Sequence, residues 1–243
     1  MAQSTRSSST PKQLSLGVSL NDQARFDNFY IPVASPNAPI LALLQAQARG
    51  EGEPFVYLWG PPGVGLTHLL QAACHTAEAA GLSVQYLPLR DLLGFAPGPL
   101  LEEMDALDFL CLDGLDAVAG RRDWEEALFH LYNRLREQGS RLLVAAAQSP
   151  RALPLVLPDL RSRLQWGLTC QLEPLTDEGK REALRHRARA RGLDLSEEVA
   201  DYVLQRVSRD MNQLFCHLER LDHASLAEQR KLTIPFVKKV LNL

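Results

Sequence analysis

Residues 55–70 constrain this chain more than any other stretch. Phe55-Val56-Tyr57-Leu58-Trp59 is an unbroken apolar and aromatic run, the pattern of a strand buried on both faces. Gly60-Pro61-Pro62-Gly63-Val64-Gly65-Leu66-Thr67 follows as a glycine-rich turn, and Leu69, Leu70, Ala73 and Ala77 then recur at helical spacing. Strand, glycine-rich loop and helix in that order form the context that a phosphate-binding loop requires. The spacing Gly60…Gly65-x-Thr67 fits the Walker A pattern everywhere except at Leu66, where a lysine is expected.

In such a loop the glycines let successive backbone N–H groups converge on phosphate oxygens, aided by the positive end of the following helix. Thr67 would offer its hydroxyl to Mg²⁺, while the lysine normally neutralises the outer phosphates. Leucine cannot do that. A backbone cradle for ADP or another nucleoside diphosphate, built on Gly60, Gly63, Gly65 and Thr67, survives the change. Triphosphate binding and hydrolysis are not expected of it. The plain structural alternative is a tight turn that binds nothing.

With 243 residues, 46% of them hydrophobic, one or two domains with a sizeable core are expected. No apolar run approaches the roughly 18 residues of a membrane span. Met1 to Lys12 is Ser/Thr-rich without an apolar segment, so it does not read as a secretory signal. Cys74, Cys111, Cys170 and Cys216 are far apart with no C-x-x-C pair. They read as small buried hydrophobes of a reduced, cytoplasmic protein, with no disulfide or metal site.

Residues 1–20 form a tail expected to be flexible, in which Gln13-Leu14-Ser15-Leu16-Gly17-Val18 is an apolar island. It reads equally as a docking peptide for a partner or as a first strand laid on the domain. Residues 21–174 read as an α/β domain. Strands are expected at 55–59, 83–87, 108–113, 141–146 and 169–172, and a short helix over 100–107. Helices between the strands imply a parallel sheet with helices on its faces. Asp113, at the C-terminal end of Asp108-Phe109-Leu110-Cys111-Leu112-Asp113, fits a Walker B acid holding Mg²⁺ through water. The next position, where an ATPase of this type usually places the base that activates water, is Gly114, and Asp116 is not expected to reach the same place. Trp124 to Gln138 is an amphipathic helix with Ala127, Leu128, Leu131 and Leu135 inward. A loop with Pro150, Pro154 and Pro158 leads to Leu160-Arg161-Ser162-Arg163-Leu164 at the sheet edge.

Residues 175–243 read as an all-helical second domain, with Ser196, Asp210 and Thr233 as N-caps. It carries 13 Lys/Arg against 11 Asp/Glu, mildly basic in a chain of net charge −3. Arg181, Arg185 and Arg189 make a stripe at i, i+4, i+8, read as a solvated helix face or as a contact for a partner or nucleic acid.

Strand, phosphate loop, Walker B strand, Pro-loop arginine and helical lid together resemble the AAA+ ATPases. Within them the likeness is to DnaA-like proteins. Gly65-Leu66-Thr67-His68-Leu69-Leu70-Gln71-Ala72 is similar to G-K-T-H-L-L-H-A of the initiator, and Ser162-Arg163-Leu164-Gln165-Trp166-Gly167-Leu168-Thr169 to its S-R-F-x-W-G-L-T. The resemblance leaves no helix-turn-helix DNA-binding domain expected within these residues. The Gln-Leu-Ser-Leu tail, Leu131-Tyr132-Asn133-Arg134, Leu157-Pro158-Asp159-Leu160 and the run Arg230 to Lys238 resemble the DnaA-like family that restrains the initiator.

That resemblance implies a negative regulator of replication initiation. Its tail would dock on the DNA polymerase III beta sliding clamp through Gln13, Leu14 and Leu16, with DNA met only through the clamp. It would then stimulate hydrolysis of DnaA-bound ATP with Arg163, which matches an arginine finger acting in trans; homo-oligomerisation is left open. Arg161 is the nearby competitor, and a salt bridge from Arg163 to Asp159 is the structural alternative. By the same alignment Ala147 replaces the polar sensor 1 residue and Asn212 the sensor 2 arginine. With Leu66 and Gly114, these changes argue against an ATPase activity of its own. The other readings are an AAA+ ATPase or helicase loader with its own nucleotide cycle, and a DNA-binding initiator. A net charge of −3 disfavours the last.

Overall fold

The computed structural model describes residues 20–102, 104–207, 210–228 and 230–243. In chain order the elements are α1 (Ala38–Ala48), β1 (Phe55–Trp59), α2 (Leu66–Ala79), β2 (Val84–Pro88), α3 (Pro97–Leu101), β3 (Phe109–Asp113), α4 (Arg122–Gln138), β4 (Arg141–Ala146), α5 (Pro158–Trp166), β5 (Leu168–Gln171), α6 (Asp177–Ala190), α7 (Glu197–Arg206), α8 (Met211–Glu228) and α9 (Ile234–Leu241). The strands form one parallel sheet in the order β2-β3-β4-β1-β5.

Alternation along the strands decides the layers. Phe55, Tyr57, Leu110, Leu112, Leu142 and Val144 face a core shared with α3, α4 and α5. Val56, Leu58, Phe109, Cys111, Leu143 and Ala145 face the opposite core, closed by α1 and α2. Because both faces are covered, the inner strands read as continuous apolar runs. The edge strand β5 is largely exposed, and its register follows Val56↔Leu168 to Trp59↔Gln171.

The last four helices pack on their own core, with Leu184, Leu214, Leu218 and Val237 at its centre. Its expected N-caps are formed. Ser196 Oγ accepts from the Val199 N–H, Asp210 Oδ1 from Gln213 and Thr233 Oγ1 from Phe236. Thr176 does the same for Gly179 at the start of α6. The arginine stripe is mostly spent internally. Arg181 pairs with Glu197 (2.6 Å) and Asp201 (3.1 Å), and Arg185 with Glu182 (2.7 Å).

Three expectations need correcting. The helix expected over 100–107 is α3 followed by a 3-10 turn at Met104–Ala106, because Pro97 and Pro99 suit a helix start and move it forward. Residues 158–166, read only as the sequel to a Pro-rich loop, form α5 with Pro158 in its first turn. Of the cysteines only Cys74 and Cys111 are buried; Cys170 is half-buried and Cys216 exposed. Among the described residues no helix is long and apolar enough to cross a membrane.

Candidate functional site

The carboxyl ends of β1, β3 and β4 lie level, with Trp59 opposite Ala146 and Asp113 opposite Ala145. From β1 the chain crosses to β2 at the far edge, which opens a crevice beyond those strand ends, the usual ligand position in such sheets. A cavity of about 660 Å³ lies there, within the size range of nucleotide sites. Gly60, Gly63, Gly65, Thr67 and Asp113 all line it, so the structure gathers every residue singled out for a nucleotide.

The loop has the backbone of a phosphate cradle. Gly63 and Gly65 have φ of +79° and +103°, the left-handed region that favours glycine. A Cβ on Gly65 would stand 2.5 Å from the Phe29 ring, and one on Gly63 would collide with the Asp210 carboxylate. In α2 the Leu69 amide bonds back to the Gly65 carbonyl at 3.0 Å. The amides before it are left at the open helix end, where an anion is favoured.

Behind the loop, Thr67 Oγ1 and the Tyr86 hydroxyl both donate to Asp113 Oδ2, each at 2.7 Å. Burial, and then the Asp113 charge, push the Tyr86 phenol well up, so it stays a proton donor. Thr67 and Asp113, read separately from the sequence as residues on the Mg²⁺ side, are thus brought into contact.

All four altered positions, Leu66, Gly114, Ala147 and Asn212, line this cavity. Gly114 has φ +73°, so an acid there would have to sit in left-handed backbone. Asp116 lines the cavity too, but its Oδ1 accepts from the Ala147 amide (3.0 Å) and its Oδ2 lies 3.8 Å from Arg90. Two cations missed in the sequence, Arg90 and Arg187, also line the cavity. Arg187, 9% exposed on α6, stacks over Phe215 (5.3 Å) and donates to Gln23 Oε1 (3.1 Å).

Residues 21–29 clasp the rim. The Asn21 amide donates to Gln71 Oε1 (3.2 Å), and His75 Nε2 meets the Asn21 carbonyl (3.1 Å). His68 Nε2 meets the Arg25 carbonyl at 2.9 Å, which fixes the proton on that nitrogen. Burial is the main influence on His68 and lowers its pKa, which favours the neutral ring.

Arg163 lies elsewhere. It is half-buried on α5 and lines a small hollow with Phe55, Tyr132 and Leu164, not the cavity of the phosphate loop. Its guanidinium carbon is 5.0 Å from the Trp166 ring centre and 6.0 Å from that of Phe129. The salt bridge to Asp159 is not made. Arg161 is a strut: its Nη2 donates to the carbonyls of Leu155 (2.6 Å) and Leu153 (3.5 Å). The loop before α5 is tied down by a residue the sequence reading passed over. Fully buried Glu125 accepts from the amides of Gly120 (2.7 Å), Val156 (2.9 Å) and Leu157 (2.7 Å). Its signal was a carboxylate within the apolar stripe of α4, between Trp124 and Leu128. Gln13, Leu14 and Leu16 lie outside the described residues.

Residues 177–241 match the family model for the lid domain of Hda, and residues 98–171 that for the bacterial DnaA ATPase domain. The chain is an Hda/DnaA-like AAA+ protein. The fold agrees with solved structures of AAA+ proteins. Domain III of DnaA from Thermotoga maritima superposes with a TM-score of 0.77 at 22% identity, over 93% of this chain and 98% of that one. AMPPCP-bound DnaA from Aquifex aeolicus gives 0.69 at 23% identity, over 82% and 65%. A RuvB variant from Thermotoga maritima gives 0.66 at 19% identity, over 90% and 71%.

Proposed function

We propose that this DnaA-related AAA+ chain is a negative regulator of replication initiation. It docks on the sliding clamp through Gln13, Leu14 and Leu16 and supplies Arg163 to the ATP site of DnaA. The observation that carries this reading is the position of Arg163: a guanidinium outside its own cleft, held by rings rather than by a carboxylate. During phosphoryl transfer, negative charge spreads over the equatorial oxygens, and an arginine delivered in trans stabilises it. The deciding experiment measures hydrolysis of DnaA-bound ATP with clamp on DNA, with and without this protein. No stimulation by the parent chain would overturn the reading.

In the same reading the chain's own cleft holds ADP or another nucleoside diphosphate as a resident ligand without turning over ATP. The positive-φ loop, the open α2 terminus and the cavity size fit a diphosphate; the amides around Gly63–Thr67 would hold it, with Thr67 and Asp113 toward Mg²⁺. Leu66→Lys is expected to raise ATP affinity by roughly 10–100-fold, the worth of one charge-assisted hydrogen bond. Hydrolysis should stay at background, because Gly114 still supplies no base. Equilibrium binding of a fluorescent ATP analogue and a steady-state ATPase assay check both halves. Turnover by the parent chain would favour the alternative of an AAA+ ATPase or helicase loader with its own cycle, a reading supported by the intact Thr67–Asp113 contact.

A Leu14→Ala, Leu16→Ala double variant is expected to lose more than about a hundredfold in clamp affinity, since each buried leucine is worth roughly 1.5–3 kcal/mol. Its thermal midpoint should match the parent. Clamp binding by surface plasmon resonance that persists in the double variant would remove the tail from the proposal.

A further inference from the structure

Trp166 is a large aromatic residue left 64% exposed at the C-terminal end of α5, next to the edge strand. Two guanidiniums share its indole. Arg136, from α4, lies 4.3 Å from the ring centre, and Arg163, one turn earlier on α5, lies 5.0 Å from it. Both are inside the roughly 6 Å within which a cation over an aromatic face is attracted. The i, i+3 spacing of Arg163 and Trp166 puts them on one side of the helix. The closing turn of α5 also favours a positive charge.

The chemistry of the holder matters. A carboxylate beside Arg163 would fix it but would occupy the N–H fork and cancel the charge that a phosphoryl group must feel. A ring face attracts the cation through its quadrupole, makes no hydrogen bond, and leaves the in-plane donors free. It also removes rotamers that a long side chain would otherwise lose on assembly. We propose that Trp166 is a positioning residue for Arg163: its indole, steadied by Arg136, presents the guanidinium in a fixed place with its donors unspent. This rests on the reading of Arg163 as a finger acting in trans.

The test separates geometry from rate. In the full-length protein the Arg163 Nε–Hε signal in a ¹H–¹⁵N spectrum, assigned by its loss in Arg163→Lys, should be shifted upfield by the ring current. The shift should persist in Trp166→Phe and shrink in Trp166→Leu, which keeps apolar bulk but has no ring, to the smaller part due to the more distant Phe129. With DnaA-bound ATP and clamp-loaded DNA, Trp166→Leu should lower the maximal stimulated rate about tenfold and change the half-saturating concentration less than twofold. Trp166→Phe should keep at least half of the parental maximal rate. If Trp166→Leu keeps the parental maximal rate while Arg163→Ala is inactive, the positioning role is wrong and the finger stands. A Trp166→Leu effect confined to half-saturation would make Trp166 a contact residue, which also overturns the proposal. If Arg163→Ala stimulates like the parent, both readings fall together.

Discussion

Arg163→Ala is expected to keep its fold and its clamp binding while losing about a thousandfold or more of the stimulation of DnaA-bound ATP hydrolysis. Besides the packing of its stem beside Phe55, Tyr132 and Leu164, this half-buried side chain gives up contacts to the Trp166 and Phe129 rings, worth about 0.5–2 kcal/mol, so unfolding should shift only modestly. Arg161→Ala provides the contrast. Arg161 spends its guanidinium on the Leu153 and Leu155 carbonyls, so its loss should loosen the loop and lower stimulation less than about tenfold. Single-turnover hydrolysis with DnaA preloaded with ATP, at saturating regulator, checks both variants. Full stimulation by Arg163→Ala would refute the assignment of the finger.

Glu125→Ala is expected to be a strongly destabilising change on the α4–α5 side of the sheet. Its carboxylate satisfies the amides of Gly120, Val156 and Leu157 from a fully buried position. Alanine removes the shared acceptor of three part-buried amides, two of them on exposed residues, at about 1 kcal/mol each, the low end for a lost partner. A loss of roughly 2–4 kcal/mol is therefore expected from the shift in urea midpoint. Leu157 is also the residue before α5, so the start of the helix that carries Arg163 loosens with it. Stimulation should fall even at temperatures where the variant is still folded. A midpoint shift below about 1 kcal/mol would show that water or a rearranged loop replaces the carboxylate.

What could be read in advance follows the range of the interactions involved. Unbroken apolar runs such as Phe55–Trp59 and Leu142–Ala146 located the strands to within about a residue, because burial on both faces leaves no other composition. The cleft was equally legible, since a phosphate loop is local and its partner Asp113 closes the next apolar run but one. The helix α5 was hidden by its prolines, although Pro158 followed by Asp159 is a reasonable helix start. Groups joined only by tertiary packing gave no signal. Arg187 reaches the cleft from a helix more than a hundred residues after the loop, and Arg136 meets Trp166 because α4 lies along α5. In the arginine-rich run 181–191 the periodic stripe drew attention to Arg181 and Arg185. These are paired within the lid, while Arg187, off that stripe, faces the cavity.

On the proposed reading, the clasp of Asn21 on α2 would set the length of the leash to a clamp gripped by the tail. Asn21 lies five positions after Leu16, and a fully extended chain covers at most about 17 Å over those five steps. A clamp gripping Leu16 would therefore lie close to α2, on the layer of the sheet that α1 and α2 cover. Arg163 and Trp166 belong to the other side, on α5, whose buried side chains join the α3–α4 core. On the proposed reading, clamp and initiator would then have separate approaches. The short leash would act as a spacer that keeps one guest off the doorway of the other.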